Sequence, residues 1–170
     1  MQLLFSSARL VVKSINVHNA AFIKELVNTN DWLQFIGYRN IHSIEDSIAY
    51  IEKIINTPQF NYWVVSIKDT TVSVGIISFI KRDYLPHFDI GFAFLPNHQH
   101  KGYAFEAVKT ALEYIVDTTS LSTILATTLP NNLASIALLQ KVGFAFQKSQ
   151  VINGQELSVY TLKFQNNKNE

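Results

Sequence analysis

The stretch from Leu95 to Glu113, LPNHQHKGYAFEAVKTALE, constrains this chain most, because the end of a strand, a short turn and a long helix follow one another there without slack. Before it, His87 to Leu95 alternates as a strand does: Phe88, Ile90, Phe92 and Phe94 share one face, and His87, Asp89, Gly91 and Ala93 the other. After it, Ala104, Ala107, Val108, Ala111, Leu112, Ile115 and Val116 recur at helical spacing, which predicts a packed stripe with Glu106, Lys109 and Glu113 left in water. The turn between them, Gln99-His100-Lys101-Gly102-Tyr103-Ala104, suits an anion. The free N–H groups of a helix start converge there, and the helix dipole adds positive potential. Gly102 and Ala104 keep the backbone bare, and Lys101 adds a mobile charge. A pattern of this looseness arises by chance in about one chain in six of this length, so alone it is equally an ordinary strand-to-helix turn.

The 170 residues suffice for one domain with a full core and are too few for two of ordinary size; the expectation is a single domain over 1–170 with a polar tail from about 165. A formal charge of +1 with 48% hydrophobic residues gives no strong preference for nucleic acid or an anionic membrane. The absence of cysteine removes disulfides, thiolate–zinc sites and any acyl-cysteine intermediate. No apolar run approaches the ~20 residues of a membrane span, and no basic leader precedes the first apolar run, so the expected location is the cytoplasm.

In chain order, Arg9 to Ile15 reads as a first strand, and His18 to Asn28 as a helix with Ala21, Phe22, Leu26 and Val27 inward. Asn30 to Asn40 is too irregular for one long element and too apolar for a free loop. Ser43, with Asp46 three places on, opens a helix whose stripe is Ile44, Ile48, Ile51 and Ile55. Tyr62 to Ile67 and Val72 to Ile80 form an antiparallel hairpin, and the His87 strand continues it as a meander. Ser122 to Leu129 is another strand, ended by Pro130-Asn131-Asn132, from which a helix runs to about Val142. Phe144 to Ile152 and Gln155 to Phe164 flank Asn153-Gly154, a strong hairpin signal. The order β-α-α-β-β-β-α-β-α-β-β describes a mixed α/β domain, one mostly antiparallel sheet with helices on both faces.

With that order, two segments, Gln99-x-x-Gly102-x-Ala104 and Asn132-x-Ala134-Ser135-Ile136-x-Leu138-Leu139-x-Lys141-x-Gly143-Phe144, resemble two motifs of the GNAT superfamily of acyl-CoA-dependent N-acetyltransferases. Trp32-Leu33-x-Phe35-Ile36-Gly37-x-Arg39 and Ser43-x-Glu45-Asp46-x-x-x-Tyr50-Ile51 are similar to the branch related to RimJ and RimL, the acetyltransferases of ribosomal-protein N-termini. The resemblance covers roughly residues 8 to 164, and Tyr38 departs from it where relatives carry an acidic residue. It implies an N-acetyltransferase of the GNAT fold that uses acetyl-CoA, needs no metal, and acetylates a protein N-terminus or a small amine by direct transfer. The pyrophosphate would lie on Gln99, His100, Lys101, Gly102, Tyr103 and Ala104. The pantetheine arm would run beside the Asp89–Leu95 strand, where a bulge splays that strand from its neighbour and Pro96 interrupts pairing. Homodimers are common among similar proteins, though no residue here demands one.

Acetyl transfer to an amine needs the amine neutral, the carbonyl polarised and the departing thiolate stabilised. Asp89, on the small-residue face, is the candidate for the amine's proton if burial raises its pKa or water relays; otherwise it is a strand-edge charge. Ser135 can donate to the leaving sulfur, or simply line its helix. The N–H groups of Phe92 and Phe94 are candidate carbonyl polarisers. Asn132 either binds the cofactor arm or only caps its helix. Trp32, Phe35 and Arg39 are candidate walls of the acceptor site, where Arg39 would meet a carboxylate or phosphate, or form a structural ion pair. His98 and His100 read as solvated turn histidines, because no cysteine or carboxylate cluster accompanies them. The alternative from another class is a catalytically silent CoA-binding or regulatory module. A nucleotide-binding fold is disfavoured by the absence of Gly-x-Gly-x-x-Gly and P-loop patterns.

Overall fold

The computed structural model describes residues 3–164; the polar tail expected from 165 lies outside them. Strands β1 (Leu3–Ser6), β2 (Leu10–Ser14), β3 (Phe60–Ile67), β4 (Ser73–Lys81), β5 (Phe88–Phe94), β6 (Thr123–Thr128), β7 (Ala145–Ile152) and β8 (Gln155–Lys163) form one sheet in the order β1-β2-β3-β4-β5-β6-β8-β7. Every neighbouring pair is antiparallel except β5–β6. The helices are α1 (Ala20–Val27), α2 (Asn30–Phe35), α3 (Ile44–Ile55), α4 (Tyr103–Thr118) and α5 (Leu133–Lys141).

The alternation read along β5 separates two cores. Ile90 and Phe94 join Ala107, Val108, Ala111, Leu112 and Ile115 of α4 and Leu139 of α5 on one face, with Phe88 and Phe92 against them. Ala93 instead packs with Ile23, Leu26, Trp32, Ile51 and Ile54 of α1, α2 and α3 on the other. Helices therefore cover both faces, and period-2 burial in a central strand decides which helix meets which side. The Asn153-Gly154 turn has φ of 51° and 78°, the pair of positive values a tight two-residue hairpin requires.

Several local expectations change. β1 was not anticipated; it adds an antiparallel edge strand to β2. α2, read as irregular, is a short helix started by Thr29, whose side chain accepts from the Trp32 N–H. In α1 the buried residues are Ala20, Ile23, Leu26 and Val27, while Ala21 faces water. The Ser43–Asp46 capping box is present in α3. Its buried stripe, however, is Ser47, Ile51 and Ile54, and Ile44 and Ile55 are exposed. Ser47 can lie inside because its hydroxyl donates to the Ala20 carbonyl at 2.8 Å.

Candidate active site

The site begins where β6 leaves β5. The two strands pair only at Asp89 and Leu125, whereas β4 and β5 stay in unbroken register from Lys81–Phe88 to Gly75–Phe94. The expected bulge in β5 is therefore not what opens the strands; the divergence of β6 is. The Leu95 N–H donates to the Val74 carbonyl at 2.9 Å. Because donors alternate along an antiparallel strand, Ala93, Gly91 and Asp89 also face β4, and Phe92 and Phe94 turn their N–H groups toward the opening. Their side chains pack in the α4 core, so only backbone is offered to the fork.

Asp89 stands at the apex and is 2% exposed. Oδ2 accepts from Arg82 Nε at 2.6 Å, and Oδ1 accepts from the Thr127 N–H at 3.0 Å and its hydroxyl at 3.3 Å. The carboxylate thus stitches β5 to β6 just beyond their single pairing. Burial pushes its pKa above the ordinary aspartate value, while Arg82 and the two Thr127 donors act against that rise. Both oxygens are already engaged, which is not the exposed strand-edge charge that the alternative reading described.

Beyond β5, a 3-10 turn over Pro96–His98 leads to the glycine turn and α4; His98 is half-buried there with its Nδ1 enclosed and unpartnered, so it is not the solvated histidine expected, whereas His100 is exposed. His100 (φ 57°) and Gly102 (φ 78°) both lie in the left-handed region, and Gly102 caps the helix. This geometry leaves the first N–H groups of α4 free of intrahelical partners. Lys101 is exposed and donates to the Asn97 carbonyl at 2.8 Å. Gln99 braces the turn from within: its Nε2 donates to the Phe94 carbonyl at 3.2 Å and to Asp31 of α2 at 2.8 Å.

Arg9, which sequence reasoning did not single out, clamps the same turn from the start of β2. Its Nη1 donates to the Lys101 carbonyl at 3.0 Å, and its guanidinium lies 4.7 Å from the centre of the Tyr103 ring. A Cβ on Gly102 would come within 3.2 Å of Nη2 and press the guanidinium aside, and the φ of 78° is what favours glycine there. Glu106 holds Arg9 in place by accepting from its Nε at 2.7 Å, its N–H at 2.8 Å and the Ser7 hydroxyl at 2.7 Å. Glu106 is therefore not one of the wet residues of α4. Burial works to raise its carboxyl pKa, but the Ser7 and Arg9 donors outweigh it and hold the group below the ordinary glutamate value.

At the far end of β6, Asn132 caps α5 by accepting from the Ser135 N–H at 3.1 Å. Ser135 is half-buried in the first turn of that helix. On the opposite face of the sheet from α4, Trp32 is buried, Phe35 half-buried, and the Arg39 guanidinium lies 5.6 Å from the centre of the Trp32 ring. Arg39 donates to the Gly37 and Tyr38 carbonyls of its own loop rather than to a carboxylate.

The acetyltransferase (GNAT) domain family matches residues 9–145. An uncharacterized N-acetyltransferase of Bacillus subtilis, YnaD, is 27% identical over 154 residues, covering 89% of each chain. Among solved structures, a GNAT-family acetyltransferase from Bacillus anthracis superposes with a TM-score of 0.79 at 23% identity, over 96% of this chain and 98% of the other. A spermidine N-acetyltransferase from Vibrio cholerae, solved with CoA and spermine, gives 0.78 at 20% identity over 92% and 96%. RimL, a ribosomal L7/L12 alpha-N-protein acetyltransferase solved with coenzyme A, gives 0.81 at 15% identity over 95% and 98%. A family match over most of the length, on a sheet forked beside a glycine turn, identifies the chain as a member of the GNAT acetyltransferase family and an N-acetyltransferase.

Proposed function

We propose that this enzyme transfers the acetyl group of acetyl-CoA to a primary amine while both substrates are bound together. The observation that carries the reading is the fork between β5 and β6, which ends at a left-handed glycine and a helix start. The residues present fit the cosubstrate. The free amides of Gly102, Tyr103 and Ala104 would hold the pyrophosphate, with the Lys101 charge and the His100 backbone beside them. The Phe92 and Phe94 N–H groups would pair with the extended pantetheine arm or the acetyl carbonyl. Asn132 would meet the arm through the part of its amide that capping does not use. Acetyl-CoA supplies the acyl electrophile.

In the transfer a bond forms between the amine nitrogen and the acetyl carbon, the carbon–sulfur bond breaks, and the thiolate needs a donor. The Ser135 hydroxyl is assigned that role. The amine must also shed a proton. Asp89 is held by Arg82 and Thr127, so its first role is to fix the fork; accepting the proton requires water to displace one of those donors.

The acceptor is a protein N-terminal amine or a small-molecule amine. The segments similar to RimJ and RimL support the first, and the likeness to a polyamine enzyme extends only to fold. The cytoplasm is the compartment proposed for the reaction, and a homodimer is the assembly proposed if the protein is not monomeric. Thiol release measured against both substrates tests the transfer. Intersecting double-reciprocal lines are expected for a complex holding both; parallel lines would replace direct transfer with a covalent relay. Ser135→Ala should lower kcat by about tenfold or more with little change in KM for acetyl-CoA. Equal losses in both would leave Ser135 only a binding role. If CoA binds and no amine is acetylated, the silent CoA-binding module becomes the better reading.

A further inference from the structure

On the sheet face under α2 and α3, the Trp32 indole and the Arg39 guanidinium stand close together. Trp32 is 4% exposed, and its Nε1–H has no partner; an indole N–H left unpaired in the interior is costly unless a ligand completes it. Arg39 lies over the same ring, and among the described residues no carboxylate stands within ion-pair distance of it. Its bonds to the Ile36, Gly37 and Tyr38 carbonyls, at 3.5, 3.2 and 3.3 Å, orient the guanidinium without neutralising it.

The strands below contribute polar side chains. Tyr62, Ser78 and Gly91 are register neighbours across β3, β4 and β5. A Cβ on Gly91 would come within 2.7 Å of the Ser78 hydroxyl, so glycine leaves that hydroxyl its space. Tyr62 packs with Trp32 on this face, within electrostatic reach of Arg39 and of Arg82, the latter already paired with Asp89. The nearby carboxylate, Asp89, is already engaged by Arg82 and Thr127.

We propose that this is an anion subsite of the acceptor pocket, so that the amine acetylated carries a carboxylate or phosphate, bound by Arg39 and the Trp32 N–H. A polyamine would bring positive charge against Arg39 and is disfavoured by repulsion. The proposal rests on the acetyltransferase reading and adds the substrate class.

Matched amines test it with the full chain and acetyl-CoA: β-alanine against β-alaninamide, O-phosphoethanolamine against ethanolamine, and spermidine as the cationic arm. In at least one pair the anionic member should exceed its neutral partner by about tenfold or more in kcat/KM, the margin of a charge-assisted contact. Which pair responds separates carboxylate from phosphate. Arg39→Gln should bring that ratio to about one, and Arg39→Lys should keep part of it; a retained CoA-induced melting shift shows that each variant is folded. A preference for the neutral members or spermidine, or an unchanged ratio in Arg39→Gln, overturns the subsite. If no pair turns over, calorimetric titration of the CoA-loaded protein with the same amines decides: selective binding of the anions supports the subsite, and no selectivity overturns it. A protein that no CoA ligand stabilises would overturn the acetyltransferase reading, and the subsite with it.

Discussion

The glycine turn and the α2 side of the fork treat their polar groups in opposite ways. At the turn, Arg9, Glu106, Ser7 and Gln99 are bonded to one another, to the backbone or, for Gln99, to Asp31, and what is left free is a set of helix-start amides and the buried Nδ1 of His98. Around α2, Trp32 keeps an unpartnered N–H, and Arg39 bonds only to nearby backbone carbonyls. On the proposed reading, an invariant cosubstrate would be served by rigid backbone held by side chains that spend their bonds internally, and a variable acceptor by side-chain donors that wait for a ligand. Gln99 joins the two through Asp31, so the brace of the turn also ties down α2.

The largest expected effect comes from breaking the rigid end at its least tolerant point. Gly102→Val places a β-branched residue at φ 78° and a Cβ about 3 Å from Arg9. The Kd for CoA, read by calorimetry, should rise about a hundredfold, while amine selectivity at saturating acetyl-CoA persists. An effect of comparable size, on stability rather than on binding, is expected from Asp89→Asn, which leaves Arg82 without its counterion. Unfolding in urea should show a loss near the low end of ~3–5 kcal/mol, because the Arg82 side chain keeps 31% of its exposure. If Asp89 also accepts the amine's proton, the acidic limb of the kcat–pH profile disappears in this variant; if it only holds the fork, the limb stays.

Arg9→Ala sharpens the contrast further. KM for acetyl-CoA should rise about tenfold with kcat nearly intact, and Arg9→Lys should recover little of it, since one ammonium cannot serve both Glu106 and the Lys101 carbonyl. The smallest effect concerns pH. The Glu106 carboxyl is held below its unfolded value, so its contribution is full above the unfolded pKa and is lost as pH falls through the folded one. Melting curves below about pH 4.5 should therefore fall less steeply for Glu106→Gln than for the parent.

Local patterns in the chain were enough to place β5, the turn, α4 and the Asn153-Gly154 hairpin, because alternation, helical spacing and positive-φ chemistry act over a few residues. Asn132 was legible as a cap for the same reason. The partners of Arg9 were not, since Glu106 lies 97 residues away and a periodic helix pattern assigns it to water. The stripes of α1 and α3 were displaced because neighbouring apolar residues, such as Ala20 and Ala21, satisfy the helical period equally well. α2 has six residues, too few for a period to emerge. The fork was expected from Pro96 and a bulge; it arises instead from β6 diverging, which depends on a strand more than thirty residues further on.

Thermal melting of the protein with acetyl-CoA, CoA, ATP and NAD in parallel tests the central claim most directly. A ligand at ~100 times its Kd should raise Tm by roughly 5–10 °C. The expected result is such a shift with acetyl-CoA and CoA alone, reduced to about 1 °C in Gly102→Val at the same ligand concentration. No CoA-specific shift at saturating ligand, or an equal shift with ATP or NAD, would contradict the assignment of the glycine turn as the cosubstrate site.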